Sequence, residues 1–464
     1  MEIEKRPSYQ LTPYPFGTIK EIWAISWPLM LGFFSQHLMF FVDRLLIARY
    51  SLKAMSAVAI SGTAVWTILV FFVIITSISE VFVGRYNGQE KFHFLGVPVW
   101  QMIWLSIIIA PFFMLIGIMA PKWIFFNSSI SHIQGEYFSI LVSSGSFVCI
   151  GCALTGFFAG QGKVKIIAII SIFENFINMC LDFLLIFGGK IIPSMGAKGA
   201  AISTVISKAF AIIFLFSFFL SKKNREEKGT KCWSFHSSIF KDCLRIGIPS
   251  SLHHFLAMCG YFMFFQVMSI AGRDYITISA LIQPIYVFLI FIHEGLSKGV
   301  TSICSNFIGV KKYILVWKNL FSSFKLIFLF FLIIFVIFFL FSPNIFSIFL
   351  NKEDMLILQD VFFAKKLYYV TLCLSVFFLF DGCVHVMIGM LTAAGDTRFL
   401  MVVGLIYPWL LYLGPVVIAI YFFHATINQI WIWLVIQSFI YFIILLRHYY
   451  SMSWKTQKMI TTEN

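Results

Sequence analysis

Long runs of apolar residues, separated by short polar segments, dominate the chain. A helix of roughly twenty apolar residues spans the hydrocarbon core of a bilayer, and twelve segments reach this length. They lie near residues 20–48, 57–84, 97–120, 137–159, 166–188, 199–220, 246–270, 276–300, 321–342, 364–392, 399–422 and 428–447. The pattern predicts an all-α integral membrane protein with twelve transmembrane helices.

The longest polar stretch, residues 221–245, divides the predicted spans into two sets of six. We therefore expect an N-terminal six-helix lobe over residues 1–220, a cytoplasmic connector over 221–245 and a C-terminal six-helix lobe over 246–464. Lys and Arg are more frequent in the loops on the side of the two termini than in the opposite loops. By the positive-inside rule, both termini are predicted to be cytoplasmic.

Pairs of matching residues indicate that the two halves are repeats of one unit. Pro28 with Pro249, and Gly88 with Gly309, share a separation of 221 residues. Each half also has six spans and starts on the same side of the membrane. These features predict a parallel repeat about an axis along the membrane normal, an arrangement found in transporters.

Polar residues inside the apolar spans mark a candidate ion site. In the fifth span, Glu174, Asn178 and Asp182 follow one another at intervals of four and therefore share one helix face. Ionisable groups inside a membrane are costly unless they face protein or water. Asp43 in the first span and Thr204 in the sixth lie at the same predicted depth as Asp182. Two carboxyl groups, an amide and a hydroxyl at one depth predict a site for a proton or for a hard cation such as Na⁺.

Several alternatives remain open for these polar residues. Asn178 and Thr204 are of types that also bridge membrane helices, and Glu174 suits a gate or an interhelical hydrogen bond as well as ion traffic. Asp381 and His385, four residues apart in the tenth span, are secondary candidates, either as a pH-responsive pair or as a structural one.

Composition narrows the class of protein further. The chain of 464 residues is 60% hydrophobic and 12% charged, with a mean hydropathy of +0.91, which is typical of a membrane protein. The basic residues behind the net charge of +14 lie in loops, so we expect no nucleic-acid partner. Catalytic motifs are absent, so we expect no enzyme activity and no cofactor. Adjacent histidines at 253 and 254 lack a third ligand in sequence, and we expect no metal beyond Na⁺ at the coupling site.

The order of several short motifs resembles that of the multidrug and toxic compound extrusion (MATE) transporters over nearly the whole chain. The resembling segments are Trp27-Pro28, Asp43-Arg-Leu-Leu-Ile-Ala, Ala54-Met-Ser-Ala-Val, Asn178-Met-Cys-Leu-Asp-Phe-Leu-Leu-Ile-Phe-Gly, Gly199-Ala-Ala-Ile-Ser-Thr, Phe380-Asp381 and Leu391-Thr-Ala-Ala-Gly-Asp-Thr. The resemblance implies two six-helix bundles that form a V-shaped cavity. It also implies that Asp43, Asn178, Asp182 and Thr204 form the first-lobe cation or proton site and that Asp381 is a second-lobe carboxylate.

Three positions depart from the family pattern. Ala257 stands where one branch has a Glu, Arg44 follows the key Asp of the first span, and Thr392-Ala393 replaces an expected Arg-Gly. A missing Glu argues against a second-lobe cation site, so we expect coupling in the first lobe.

By resemblance, the predicted function is secondary antiport, in which Na⁺ or H⁺ entry drives export of amphipathic or cationic organic compounds. The expected location is the cell inner membrane, and the expected state is a monomer. The alternative is a flippase for lipid-linked oligosaccharide or other lipid precursors. Such flippases use Arg to hold pyrophosphate, and Arg44 is the one candidate for that role.

Overall fold

The computed structural model describes residue 7 and residues 9–126, 130–189, 192–347 and 360–456, and these are almost entirely helical. The α-helices are α1 (Ile19–Tyr50), α2 (Leu52–Ser77), α3 (Ser79–Gly88), α4 (Gly96–Ile124), α5 (Ser131–Ser143), α6 (Gly145–Gly160), α7 (Val164–Phe187), α8 (Ala197–Phe219), α9 (Lys222–Glu227), α10 (Ser237–Ala271), α11 (Arg273–Gly309), α12 (Tyr313–Ser347), α13 (Val361–Ala394), α14 (Thr397–Tyr407), α15 (Gly414–Phe423) and α16 (Ile427–Tyr450).

Helices occupy all twelve predicted spans. Among the described residues, ten helical segments are long and apolar enough to cross a membrane, and α5 with α6 makes an eleventh if this pair, bent by 40°, counts as one span. The predicted seventh span lies within α10, which is 35 residues long. The prediction of an all-α membrane protein is confirmed.

Some predicted spans consist of two helices because the backbone changes course inside them. Residues 57–84 divide at Ile78 between α2 and α3, and residues 137–159 divide at Ser144 between α5 and α6. Residues 399–422 contain a π-helical turn, Pro408–Leu413, between α14 and α15. Proline lacks the amide proton of a regular helical turn, which accounts for the irregularity at Pro408.

The two halves of the chain repeat the same backbone path. α3 ends at Gly88 and α11 ends at Gly309, the glycines that the sequence separates by 221 residues. Two residues after each glycine, Glu90 and Lys311 both adopt left-handed conformations, with φ of 60° and 58°. Such conformations are uncommon for residues other than glycine, so their recurrence at equivalent positions supports the repeat.

The contacts between helices are also equivalent in the two halves. α1, the first helix of the first half, packs against α7 of its own half and α11 of the other half. α10, the first helix of the second half, likewise packs against α14 of its own half and α2 of the other half. The first span of each half therefore packs against the second span of the other half.

Glycines allow the two halves to approach closely. On α11, Gly295 and Gly299 face α1, where a Cβ at position 299 would lie 2.1 Å from the hydroxyl of Ser26. At position 295 a Cβ would lie 2.6 Å from the backbone nitrogen of Met30. This spacing of small residues is typical of tightly packed membrane helices, and it holds α1 directly against α11.

Buried polar contacts join the halves near the chain termini, and we call this contact the inner seam. Arg85 of α3 donates hydrogen bonds to the carbonyl oxygens of Ala393 (3.1 Å) and Ala394 (2.6 Å) at the end of α13. Asn87 Nδ2 donates to Asn306 Oδ1 of α11 at 2.7 Å. The seam therefore connects α3 with both α11 and α13.

Both described terminal segments lie at the same end of the molecule. The ammonium group of Lys312, at the start of α12, lies 4.3 Å from the ring centre of Tyr9. Tyr313, the next residue, packs its ring edge against Trp454, with ring centres 5.5 Å apart. The terminal segments thus meet at the loop between α11 and α12, as expected for an even number of spans.

Candidate functional site

The first site lies between α1 and α7. Asp43 is 9% exposed, and both Asp182 and Asn178 are fully buried. We assign the Asn178 amide nitrogen to the side that faces the two carboxyl groups, because the opposite assignment sets the amide oxygen against two acceptors. In this orientation the nitrogen donates to Asp43 Oδ1 at 3.1 Å and to Asp182 Oδ2 at 3.2 Å. The structure therefore brings these three predicted residues together.

A hydroxyl from α8 completes this cluster, but it comes from Ser203. The Ser203 hydroxyl donates a hydrogen bond to Asp182 Oδ1. The Thr204 hydroxyl donates within its own helix to the carbonyl oxygen of Ala200 at 2.9 Å, an oxygen that the Ser203 hydroxyl also contacts at 2.8 Å. Consecutive residues of a helix point about 100° apart, so only one of the two hydroxyls can face α7. The sequence therefore indicates the segment of α8 that lies beside α7 but not the rotation of that helix.

Polar contacts about two and three helical turns from the carboxyl groups, towards the start of each helix, fix α1 against α7. Asn175 Nδ2 donates to the hydroxyl of Ser35 at 2.6 Å. The hydroxyl of Ser171 lies 3.4 Å from the carbonyl oxygen of Gly32. Because these contacts set the register between the two helices, they also set the distance between Asp43 and Asp182. Asn175 was not among the predicted site residues, although it follows Glu174 on the same span.

The chemistry available at this cluster is binding of a proton or of a hard cation. Carboxylate, amide and hydroxyl oxygens are the ligands that hard cations prefer. Two adjacent carboxyl groups also titrate as a coupled pair, so the cluster can take up one proton and release it. Arg44 adds a neighbouring positive charge, but its side chain is exposed while Asp43 is buried.

Glu174 is engaged elsewhere. Its carboxylate forms an ion pair with Lys208 of α8, with Oε1 and Nζ 2.5 Å apart. A second pair inside the spans joins Glu80 of α3 to Lys298 of α11 at 2.7 Å. Each pair neutralises a charge that would be costly inside a membrane. Glu174 is thus part of an interhelical contact, as one of the predicted alternatives has it.

A second cluster surrounds Asp381 in the other half of the chain. Asp381 Oδ2 lies 3.1 Å from Nδ1 of His293, 3.4 Å from Nδ1 of His385, and accepts a hydrogen bond of 2.8 Å from the hydroxyl of Tyr286. The pairing of Asp381 with His385 was predicted from their spacing, whereas the two residues of α11 were not predicted. Tyr286 and His293 are seven residues apart and therefore share a helix face, which was the available signal.

Comparison with known proteins identifies the family. The family model described as MatE matches residues 28–184 and 249–418, so its two segments begin at Pro28 and Pro249. The probable multidrug resistance protein NorM of Thermotoga maritima is 23% identical over 452 residues, covering 96% of this chain and 95% of the relative.

Solved structures support the same fold. A MATE protein in the straight conformation aligns with a TM-score of 0.86 and 18% identity, covering 98% of this chain and 100% of that one. A MOP superfamily transporter from Pyrococcus furiosus aligns with a TM-score of 0.85 at the same identity and coverage. Since the family consists of transporters, the prediction that the chain is not an enzyme is confirmed. With matched segments covering most of both halves, the chain belongs to the MatE family of multi-pass membrane transporters.

Proposed function

We propose that the protein is a secondary antiporter that exports amphipathic, cationic organic compounds in exchange for Na⁺ or H⁺. The observation that carries this proposal is the buried pair of carboxyl groups, Asp43 and Asp182, held by one amide between α1 and α7. No described residue forms an ion pair with either carboxyl group, and a buried carboxyl pair of this kind suits a cation that binds reversibly.

Coupling follows if the occupied and empty forms of this site favour different helix arrangements. When the pair holds a cation, the carboxyl groups remain close and α1 stays against α7. When the cation leaves, repulsion between the two carboxylates favours their separation. α1 also packs against α11 of the other half, so movement of α1 reaches both walls of the transport pathway. A difference in cation affinity between the two arrangements couples the conformational change to the cation gradient, and the gradient drives the exchange.

The proposed substrate class draws on the relatives. The Thermotoga relative carries the name of a multidrug resistance protein, and many relatives of this chain share that name. The Pyrococcus structure is described by a binding pocket of reverse polarity that suggests a different function. Substrate charge therefore has to be measured on this chain, and organic cations are the first class to test.

We further propose a bacterial inner membrane as the location, with both termini cytoplasmic and one chain as the transporting unit. The Lys and Arg content of the loops supports this orientation. The symmetry of contacts between the halves supports a single chain, because each half provides the partner surface that the other needs.

The test is efflux of ethidium, a fluorescent organic cation, from proteoliposomes under an imposed Na⁺ gradient and, separately, an imposed pH gradient. We expect efflux by the unaltered protein under one gradient. Asp43→Asn and Asp182→Asn should each lower the driven rate at least about tenfold, equivalent to about 1.4 kcal/mol. Asp274→Asn is the matched control, because Asp274 forms an exposed ion pair with Lys366, and its rate should stay unchanged.

Efflux that persists in both carboxyl variants would contradict the proposed coupling site. Absence of efflux under both gradients, in protein that is correctly folded, would contradict antiport of organic cations and favour the lipid-precursor flippase.

A further inference from the structure

The cluster around Asp381 has the composition and spacing of a transition-metal site. One atom from each of His293, Asp381 and His385 lies within 4.8 Å of the others. Nδ1 of His293 and Nδ1 of His385 lie 3.1 Å and 3.4 Å from Asp381 Oδ2. Two ligands about 2.0–2.1 Å from a tetrahedral Zn²⁺ ion are about 3.3–3.4 Å from each other. The distances from Asp381 to the two histidines are therefore close to those between ligands of one zinc ion.

We propose that His293, Asp381 and His385 bind a divalent transition-metal ion such as Zn²⁺. Two neutral imidazoles and one carboxylate carry a single negative charge, which suits a divalent cation. Imidazole nitrogen favours transition metals, whereas Na⁺, Mg²⁺ and Ca²⁺ favour oxygen. On binding, each ring presents an unprotonated Nδ1 to the ion and keeps one proton on Nε2: a neutral ring with its proton on Nδ1 changes tautomer, and a charged ring releases the Nδ1 proton to solvent.

The surroundings hold the His293 ring in position. His293 is fully buried, and its Nε2 atom has no hydrogen-bond partner among the described residues. A Cβ at position 382 would lie 2.9 Å from Nε2, so Gly382 leaves room for the ring. On another side, the ring of Phe378 packs with its centre 4.1 Å away. A buried ligand with one orientation costs little further entropy on binding a metal.

The site also has an orienting partner and an open side. Tyr286 donates to the same carboxylate oxygen that faces both histidines, a role typical of outer partners that orient metal ligands. The side chain of His385 is 29% exposed, so a water molecule or solute can reach the fourth position. Three protein ligands with one open position are typical of sites where the metal is exchangeable.

Metal binding at this site would join α11 to α13, because His293 lies on α11 and the other two ligands lie on α13. The site is independent of the Asp43 and Asp182 cluster, which belongs to the other half of the chain. Binding can therefore be tested without any transport measurement, and its failure would leave the antiport proposal unaffected.

The test is titration of purified, chelator-treated protein, carrying an affinity tag without histidine, with Co²⁺ followed by Zn²⁺. We expect visible absorption bands of four-coordinate Co²⁺ at a stoichiometry of one ion per chain. These bands should disappear when Zn²⁺ displaces Co²⁺. Removing an outer partner lowers metal affinity about 10–100-fold, so His385→Gln and Asp381→Asn, which remove ligands, should lower it at least about 100-fold.

His254→Gln is the matched control. His254 lies near His385 but directs Nδ1 to the carbonyl oxygen of Ser250 in its own helix, so this variant should bind Co²⁺ as the unaltered protein does. Zn²⁺ should also raise the melting temperature of the unaltered protein and of His254→Gln, but not that of His385→Gln. The proposal is overturned if unaltered protein gives no Co²⁺ absorption, or if both ligand variants bind with unchanged affinity.

Discussion

The hydroxyl of Ser203 donates a hydrogen bond to the carboxylate of Asp182, and this contact joins α8 to the carboxyl pair between α1 and α7. Ser203 is fully buried. Its neighbour Thr204 is partly exposed and bonds to its own helix. Two adjacent hydroxyls of similar chemistry therefore have different surroundings, and they form a natural comparison.

Ser203→Ala should impair gradient-driven efflux, and Thr204→Val should not. Loss of a hydrogen bond to a charged group costs about 1.5–3 kcal/mol, which corresponds to a tenfold or larger reduction in the driven rate. Efflux rates of the two variants in proteoliposomes, at equal protein content, provide the comparison. If Thr204→Val proves the more damaging substitution, the described rotation of α8 does not represent the transporting protein.

Asn178→Ala should uncouple transport more strongly than Asn175→Ala. The first variant removes the amide that donates to both Asp43 and Asp182, whereas the second removes an amide whose hydrogen bond among the described residues goes to Ser35. We expect at least a tenfold lower driven rate for Asn178→Ala. The rate of Asn175→Ala should remain within about threefold of the unaltered protein, because it loses one neutral hydrogen bond. Equal losses in the two variants would argue that the amides serve helix packing alone.

The ion pair of Glu174 and Lys208 should show a favourable coupling energy in thermal unfolding. Their side chains are 12% and 26% exposed, so removal of one charge leaves the other poorly solvated. We expect Lys208→Met to be destabilising and Glu174→Gln to restore part of that loss, with a coupling energy of about 1–3 kcal/mol.

The exposed pair of Asp274 and Lys366, with exposures of 47% and 40%, is the matched comparison. The double-mutant cycle of this pair should give a coupling energy below about 1 kcal/mol. Similar coupling energies for the two pairs would show that Lys208 is not needed to stabilise the charge of Glu174.

Gly299→Ala should weaken the contact between α1 and α11. The added methyl group would lie 2.1 Å from the hydroxyl of Ser26, and overpacking of this kind costs about 1–3 kcal/mol. The double variant with Ser26→Gly should recover stability, since Ser26 provides the colliding atoms. Gly32→Ala is the control, because its methyl group would meet Ser171 at 3.8 Å, an ordinary contact. Melting temperatures of the four proteins in detergent test the expectation, and a failure of Ser26→Gly to rescue would contradict it.

Lys228, in the polar segment after α9, should make stability depend on pH. Burial, together with the hydrogen bond and positive charge of neighbouring Lys163, lowers the pKa of Lys228 from its ordinary 10.5 to about 7. Between these two values the unfolded chain binds more protons than the folded one, so the Lys228 contribution to stability falls as the pH is lowered from about 10.5 to about 7.

Lys228→Met removes this proton-linked cost. We therefore expect the difference in melting temperature, variant minus unaltered protein, to be more positive at pH 7 than at pH 10. The contact of Lys228 with Gln161 is lost at both pH values, so the difference between them isolates the proton contribution. If this difference in melting temperature does not depend on pH, Lys228 is charged in the folded protein.

The fold could be predicted from the sequence because span length and hydropathy are local properties. The repeat was also readable, since Gly88 and Gly309 end corresponding helices. Tertiary contacts were less accessible. His293 meets Asp381 across 88 residues of chain, and nothing in the local sequence indicates which face of α11 turns towards α13. The choice between Ser203 and Thr204 likewise depends on the rotation of one helix, which neighbouring helices determine.

Arg85 has a second role beyond joining α3 to α13 at the inner seam. Its guanidinium group accepts no hydrogen bonds and donates to the last carbonyl groups of α13, which a helix leaves without intrahelical partners and with partial negative charge. The amide of Gly395 bonds to Leu391 and Thr392 within the same turn, so Arg85 supplies donors to the two carbonyl groups that this cap leaves over. Separation of α3 from α13 would leave both carbonyl groups without these donors, and Arg85 therefore favours the arrangement in which the two helices stay in contact.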